Sequence, residues 1–519
     1  MSRLQHSSKL RWTLTAFGAL TMPWAFPRTG FGWLAVVGIA GLVIAVYRER
    51  VAAAARMGLI FGFVWAVVSL RWADVISTVA WIGLSAIVAV WMALFAGATA
   101  AVTRRRWWLL AVPTLWVAVE QLRCLVPWGG FPWLRLSFVG GIEPLLPAAW
   151  LLSIAGVSWL LAAFASALAY AVIVGPSARM FAPIAVVAVA ATLLTTSSVL
   201  VQNRGAKQSV IVGYVQPSQT ASEIDDRSQR TQLLNDTIVG LADVGRQVAA
   251  LRATGKQIPA VIALAEDALP GSVWAGGADT KALSGAVDIA DAAVLAGFVI
   301  WSEDRRNLLN RAALWQPGVG PGEQAGDIQF YDKRHLVPFG EWVPFREITE
   351  SWVSEIALVS SDFVSGTKPG RFVTGTGITV GTVICFETAF DDVTRDVIAS
   401  DVLTVQTNNS AFLGTEQPAQ QFAISQARAA EAGRPLVVAA ATGVSGVINA
   451  RGRVVTGSLT ADNIRQSAAF VMDAGGYRAP AFIAGPLLRW GSVVLSALML
   501  LGWAWARRRK VDGELAAEQ

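Results

Sequence analysis

Charge is scarce in this sequence. Only 15% of its 519 residues are Asp, Glu, Lys or Arg, while 54% are hydrophobic. Soluble domains carry about 25% charged residues. The shortfall, with a mean hydropathy of +0.50, puts much of the chain in lipid. Cysteine is scarce too. Cys124 closes an apolar segment and Cys385 lies far away in the polar half, so a disulfide framework is excluded and Cys385 reads as a free thiol. Histidine is reduced to His6 and His335. Without clustered Cys and His ligands there is no zinc site, and neither a metal nor any other cofactor is expected.

The net charge of +6 does not point to nucleic acid, because the arginines sit between apolar segments, where they orient a chain in a membrane. Trp is abundant, at 22 residues, and many lie near the ends of apolar runs, as interfacial belts do. Apolar runs cover 10–27, 31–47, 56–70, 77–102, 107–126, 147–174 and 180–201, and a last one covers 480–506. Most are near the roughly 20 residues that cross a bilayer. The first follows Arg3, Lys9 and Arg11 but lacks a convincing cleavage site, so it reads as an uncleaved span.

Inner-loop candidates carry Arg48, Arg50, Arg56, Arg104, Arg105, Arg106 and Arg179, and the last run ends in Arg507, Arg508, Arg509 and Lys510. The positive-inside rule then places both termini in the cytoplasm and the polar stretch outside it. The expected organisation is a membrane domain of seven spans over 1–203, a polar domain over 207–476, an eighth span over 480–506 and a cytoplasmic tail over 507–519. Residues 510–519 read as disordered.

Within 207–476, short β-branched runs predict strands at 209–214, 260–265, 297–301, 378–385, 402–406 and 435–441. Helical spacing over 222–253 and 416–432 predicts two helices. Such alternation argues for an α/β layered fold.

Three segments place a reactive group after an apolar strand. Glu266 follows Val261-Ile-Ala-Leu-Ala; alone it is an ordinary surface carboxylate more often than a catalytic one. Lys333 and Glu341 lie in Tyr331-Asp-Lys333-Arg-His-Leu-Val-Pro-Phe-Gly-Glu341, where lysine is usually a solvated charge. Cys385 ends Ile378-Thr-Val-Gly-Thr-Val-Ile-Cys385-Phe-Glu387, and a cysteine there is usually inert packing. Together they are stronger. A thiol needs a neighbour to become a thiolate, a carboxylate can take its proton and an ammonium can hold an oxyanion. His335 could serve as a base, but a structural role is expected for it, since a Cys–His pair leaves Glu266 and Lys333 without purpose.

The order Glu266, Lys333, Cys385 resembles the nitrilase, or carbon–nitrogen hydrolase, superfamily. The membrane half narrows the likeness to the apolipoprotein N-acyltransferase family, through Val112-Pro-Thr-Leu-Trp-Val-Ala-Val-Glu120-Gln-Leu-Arg123 and Gly130-Phe-Pro-Trp133-Leu134. Further agreement comes from Lys333 to Pro344, from Asn310 before Arg-Ala-Ala-Leu, from Thr407-Asn408-Asn409, and from Arg428-Ala-Ala-Glu431-Ala-Gly-Arg434.

The resemblance implies about eight transmembrane helices and an extracytoplasmic αββα sandwich, in a bacterial cytoplasmic membrane. It implies Cys385 as nucleophile, Glu266 as general base and Lys333 on the oxyanion, with Glu341, Phe386, Glu387 and Asn310 in support. It implies an acyl chain passed from a glycerophospholipid, through a thioester, to the α-amine of a diacylated lipoprotein. A monomer without nucleic-acid partners is expected.

One departure stands out: Ala411-Phe412 follow Ser410 where many members have Trp, so Phe412 is a candidate replacement for a substrate contact. Trp133 and Trp352 are further candidate lipid contacts. The segment 348–363 reads either as a buried helix or loop or as a lipid-dipping lid. Glu120 and Arg123 read as an interfacial pair or a head-group contact. The rival readings are a membrane-anchored amidase, with water resolving the thioester, and a transporter or catalytically dead scaffold.

Overall fold

The computed structural model describes residues 7–205, 207–217, 227–253, 257–319, 329–343, 362–461 and 464–517. The chain forms two compact units. One takes in the chain up to Asp74, Thr78–Ser198 and the chain from Pro480 onward; the other is Val199–Ala479 with Val75–Ser77.

The first unit is helical. Its helices are α1 (Ser8–Thr21), α2 (Trp33–Val46), α3 (Val51–Ser69), α4 (Thr78–Val102), α5 (Trp108–Arg123), α6 (Ala149–Val174), α7 (Ala182–Arg204) and, after the second unit, α12 (Ala481–Ala517). Helices α3 and α4 approach closely through small residues. A Cβ on Gly58 would lie 2.3 Å from the Met92 carbonyl oxygen.

Among the described residues, five helices are long and apolar enough to cross a membrane: Val51–Ser69, Thr78–Val102, Leu146–Val174, Ala182–Arg204 and Ala481–Arg509. This is a multi-pass membrane protein, but the expectation of about eight spans is met only in part. The other three runs fold as α1 and α2, of 14 residues each, and α5, of 16. At 1.5 Å per residue these reach roughly 21–24 Å, short of a hydrocarbon core of about 30 Å. Local chemistry sets their ends. Pro23 lies in the tight turn Met22–Ala25 that closes α1. Arg48 adopts φ 54° just beyond α2. Helix α5 starts only after Arg104–Arg106. The tail also differs from expectation. Helix α12 runs through Lys510 to Ala517, because Glu514-Leu-Ala-Ala are good helix formers that continue an existing helix.

The second unit has two sheets. The six-stranded sheet runs in the order β11-β1-β2-β3-β4-β5, with β1 Lys207–Gln216, β2 Ala260–Leu264, β3 Ala293–Trp301, β4 Leu308–Trp315, β5 Phe330–Asp332 and β11 Gln466–Gly475. The five-stranded sheet runs β10-β9-β8-β7-β6, with β6 Arg371–Val373, β7 Thr379–Ile384, β8 Val402–Thr407, β9 Leu436–Ala440 and β10 Gly446–Ile448. Strands β1, β2 and β3 are parallel, as are β7, β8 and β9. All six predicted strands are present. The other five are short, or carry polar residues among the apolar ones, and offered no clean alternation.

Period-two alternation builds the layers. From β1, Val210, Val212 and Tyr214 join one core with Val380, Val402 and Val437 of the other sheet, while Ile211 and Val215 face a second core. There they meet Leu234, Leu241, Val244 and Val248 of α8 (Arg227–Arg252) and Leu283 and Val287 of α9 (Ala278–Ala290). Helices α10 (Asp391–Val397) and α11 (Gln417–Ala432) line a small cavity with β7, β8 and β9 on the other sheet. The result is an αββα sandwich. Gln406 of β8 fastens its layers, donating from Nε2 to the carbonyls of Leu264 (2.7 Å) and Leu295 (3.2 Å) in the opposite sheet.

Gly297 of β3 sits where the chain leaves β2. A Cβ there would be 2.3 Å from the Ala265 carbonyl oxygen and 3.3 Å from Glu266 Cα. Gly297→Ala is therefore expected to destabilise the second unit by about 1–3 kcal/mol and to displace Glu266. A lower melting temperature of the full-length protein in detergent checks this; an unchanged one would refute the close approach.

Candidate active site

Glu266, Lys333 and Cys385 each stand just beyond a strand end, after β2, β5 and β7. The chain turns sharply at two of these places. Asp267 has φ 52°, and so does Cys385. Left-handed backbone at a non-glycine residue stores strain that the surroundings must hold. At Cys385 it turns the strand straight into the single helical turn Cys385–Ala389.

Lys333 is the centre of the cluster. It is 1% exposed, and its Nζ donates to Glu266 Oε1 at 3.0 Å and to Glu341 Oε1 at 2.8 Å. Asn310 of β4 donates from Nδ2 to the same two oxygens, at 2.7 and 3.2 Å. The remaining oxygens are held by backbone: Asn408 N–H donates to Glu266 Oε2 (2.9 Å) and Val337 N–H to Glu341 Oε2 (2.8 Å). A buried ammonium is tolerated only when paired and hydrogen-bonded in this way. Burial opposes the charge on Lys333, but Glu266, Glu341 and Cys385 outweigh it and hold the ammonium well above its ordinary value.

Strand β5 is only three residues long, so it needs outside support to aim Lys333. Arg311 grips Asp332 through two bonds of 2.7 and 2.9 Å, while the Lys333 N–H donates to the Asn310 carbonyl and its carbonyl accepts from Gly366 N–H.

Glu387 couples the lysine turn to the cysteine turn. This fully buried carboxylate accepts from the Tyr331 hydroxyl (2.7 and 2.8 Å) and from the N–H groups of Arg334 (2.6 Å), His335 (3.0 Å) and Ile384 (2.8 Å). Burial pushes its carboxyl up from the usual range, and the donors from Ile384, His335 and Tyr331 pull against that. On the far side, Arg428 of α11 donates to the carbonyls of Thr388 (2.9 Å) and Ala389 (2.8 Å) and pairs with Asp391 and Glu431.

Other candidates fall as follows. Phe386 packs edge-on against Phe390, and the His335 ring stacks on Phe390 at 4.0 Å with Nε2 2.7 Å from Asp392 Oδ2. Phe412, partly exposed, closes the turn Ser410–Phe412 after β8. Trp133 belongs to the helical unit, where it is 2% exposed against Trp72 and Phe131. In that unit Glu120 accepts from Trp116 Nε1 (2.7 Å) and Leu136 N–H (2.9 Å), and Arg123 donates to the Leu134 carbonyl (3.2 Å). Trp352 and 348–361, the candidate lid, lie outside the described residues. Sequence reasoning assigned no role to Tyr331, Gln406 or Thr407. Their only signal was their position beside the quoted motifs.

Cys385 is partly exposed. Burial and the charge of Glu266 push its thiol up to about 12, against the pull of Lys333. At neutral pH the group is therefore a thiol beside a carboxylate, and a base must take its proton before the sulfur attacks. Thiol, carboxylate and buried ammonium together suit acyl transfer. Among the described residues no group of three or more His, Cys, Asp and Glu side chains could hold a metal ion.

Comparison with known proteins matches both units. Residues 18–167 match the family model for the apolipoprotein N-acyltransferase N-terminal domain, and residues 226–464 match that for carbon-nitrogen hydrolase. The chain is similar to the apolipoprotein N-acyltransferase of Methylococcus capsulatus (27% identical over 474 residues, 85% of this chain and 86% of that protein). It is similar also to that of Vibrio cholerae (27% over 458 residues; 85% and 87%) and of Mycolicibacterium smegmatis (28% over 464 residues; 85% and 76%). Among solved structures, a CN-hydrolase superfamily protein from Xanthomonas campestris aligns at 16% identity and TM-score 0.33, covering 55% of this chain and 97% of that one. An amidase from Nesterenkonia sp. aligns at 17% and 0.32, covering 53% and 92%.

The signs at Cys385 lead to opposed expectations. Glu266 raises the thiol and Lys333 lowers it. Glu266→Gln is therefore expected to speed alkylation of Cys385 by iodoacetamide at a fixed, mildly alkaline pH, and Lys333→Met to slow it, each severalfold, since one pKa unit is a tenfold change in thiolate. Quantifying the alkylated Cys385 peptide by mass spectrometry checks both. Shifts in the same direction would show that the two charges do not act on the sulfur as described.

Proposed function

The chain belongs to the apolipoprotein N-acyltransferase family, within the carbon-nitrogen hydrolase superfamily, and we propose that it carries out acyl transfer by attack of Cys385 on a glycerophospholipid ester. The observation that carries this reading is the buried Glu266–Lys333–Glu341 cluster whose charges act on the Cys385 thiol, in a chain whose other unit carries the five long apolar helices. A soluble amidase has no need of such helices. An enzyme whose donor and acceptor are both lipid-anchored does.

In the proposed sequence, Glu266 takes the thiol proton as the sulfur attacks the ester carbonyl. Lys333 Nζ holds the oxyanion of the tetrahedral intermediate. Collapse breaks the ester C–O bond, and the lysophospholipid oxygen leaves with the proton from Glu266. The thioester on Cys385 then meets the α-amine of an S-diacylglyceryl cysteine. The amine attacks, Glu266 takes its proton, the C–S bond breaks and the thiolate is reprotonated. Glu341 and Asn310 keep Lys333 and Glu266 oriented; Glu387 keeps the two turns in register, with Phe386 packed beside them.

The proposed topology has eight crossings, in which α1, α2 and α5 also traverse the bilayer with the turns that flank them. The basic groups at Arg104–Arg106 and Arg507–Arg509 support cytoplasmic termini and an extracytoplasmic second unit.

Incubation with phospholipid labelled in its acyl chains is expected to leave a labelled thioester on Cys385, sensitive to hydroxylamine and absent from Cys385→Ala. Addition of a diacylated lipopeptide is expected to discharge it into an amide, seen by mass spectrometry of the peptide's N-terminus. Full N-acylation by Cys385→Ala would sink the mechanism. Discharge to free fatty acid alone, with lipopeptide present, would identify an amidase-like enzyme instead.

A further inference from the structure

We propose that Gln421 and Gly443 are positioning residues for the acylation step: from opposite sides they hold the turn after β8, which presents the Asn408 N–H to Glu266 and so aims the oxygen that takes the thiol proton. The proposal rests on the reading of Glu266 as general base for Cys385.

Glu266 is buried, and its two oxygens are not equivalent. Oε1 accepts from Lys333 Nζ at 3.0 Å and from Asn310 Nδ2 at 2.7 Å. Oε2 accepts from the Asn408 N–H at 2.9 Å. An ionised carboxylate oxygen has about two acceptor sites. Those of Oε1 are both taken, one of them by an ammonium, whereas Oε2 has a site to spare. The thiol proton therefore goes to Oε2, and the Asn408 N–H fixes the direction in which Oε2 offers that site.

A backbone N–H is only as well aimed as the turn that carries it. Asn408 is the first residue beyond β8, and two backbone bonds tie its neighbours to the residues after β9. Ala441 N–H donates to the Thr407 carbonyl at 2.9 Å, and Asn409 N–H to the Thr442 carbonyl at 3.3 Å. The second bond is long, so side chains must help. Thr407, Asn409 and Gln421 are all buried, with Thr407 Oγ1 3.0 Å from Asn409 Oδ1 and 3.2 Å from Gln421 Oε1 on α11. A hydroxyl has one proton to give and cannot serve both oxygens. Meanwhile Gln421 Nε2, a buried donor, has no partner among the described residues, which is costly. Gln417 Nε2 lies 3.3 Å from Gln421 Oε1. An amide keeps its shape when its oxygen and nitrogen exchange places. Exchanging them on both glutamines gives the line one direction: Gln421 Nε2 donates to Thr407 Oγ1 and to Gln417 Oε1, and Thr407 donates to Asn409 Oδ1. The chain runs from α11 into the turn and ends on the residue after Asn408.

Gly443 closes the turn from the other side. Its φ is 111°, and a Cβ there would lie 3.0 Å from Asn409 Cβ and 3.2 Å from Asn409 Nδ2. Glycine meets both demands without strain. The Gly443 carbonyl accepts from Gln216 Nε2 at 3.3 Å, which ties this loop to the end of β1. Asn409 is thus held between α11 and the loop after β9, one residue from the N–H that Glu266 uses. Gln421 and Gly443 act on Glu266 through that turn.

Single-turnover acylation of the full-length protein in detergent micelles, with phosphatidylethanolamine labelled in its acyl chains, tests this. Gln421→Leu and Thr407→Val are expected to lower the maximal rate of thioester formation on Cys385 roughly ten- to hundredfold, as for a reacting group misplaced by about 1 Å. The half-saturating phospholipid concentration is expected to stay within about twofold of wild type, because binding is untouched. Thr407→Ser keeps the hydroxyl and is expected to return to within about threefold of the wild-type rate. A merely structural role would lower the melting temperature and the fraction of protein that acylates, while that fraction kept the wild-type rate. Wild-type maximal rates in Gln421→Leu and Thr407→Val, or a loss that Thr407→Ser does not repair, overturn the proposal. Should those variants fail to fold, Gly443→Ala presses on the turn from its other side: a lower maximal rate supports the proposal and an unchanged one overturns it. Absence of any thioester in the wild type would instead sink the reading of Cys385 and Glu266 on which the proposal rests.

Discussion

Lys333 is buried among carboxylates, and the rest of the second unit is arranged around that constraint. An ammonium at 1% exposure has left its water behind. Only full pairing makes this tolerable. The two carboxylates that pair it arrive from opposite sides of the sequence, Glu266 after β2 and Glu341 beyond the Pro338–Gly340 turn. Asn310 bridges both. Each carboxylate in turn takes a backbone N–H. The cluster is thus an electrostatic unit: removal of Lys333 leaves two buried carboxylates facing each other without a counter-charge.

Such a unit has meaning only if the thiol is beside it, and two fasteners keep it there. Gln406 reaches from β8 across the sandwich to β2 and β3, fixing the strand that delivers Glu266 to the sheet that delivers Cys385. Glu387 ties Tyr331, Arg334 and His335 to Ile384, fixing the lysine turn to the cysteine turn. Both use polar side chains in places where apolar packing alone would hold the layers together but not their register. The strained φ at Cys385 is what these fasteners support.

The helical unit follows a different logic. Its long helices obey bilayer thickness. Its short ones end at Pro23, at Arg48 and at Arg104–Arg106, where proline, a left-handed residue and a charge cluster stop them before they reach full length. Hydropathy counts apolar residues and does not see a proline turn, so the apolar run 10–27 outlasts α1; the run 107–126 begins beside the arginines and outlasts α5 at its far end, past Arg123.

The sequence by itself determined the multi-pass helical half, the α/β class of the polar half, six of its strands and the candidates Glu266, Lys333 and Cys385. All of these are written in local patterns: apolar runs of bilayer length, β-branched strands, and reactive groups at strand ends. Asn310, and the roles of Glu341 and Glu387, were suggested only by family likeness, since a lone carboxylate or amide carries no periodic signal. The tertiary structure alone decided that Lys333 is paired twice, that Glu387 is a strut rather than an acid facing solvent, and that His335 stacks on Phe390. Each of these depends on which strands become neighbours. Register between segments as distant as 264 and 406 follows from packing two sheets together, and no local pattern records it.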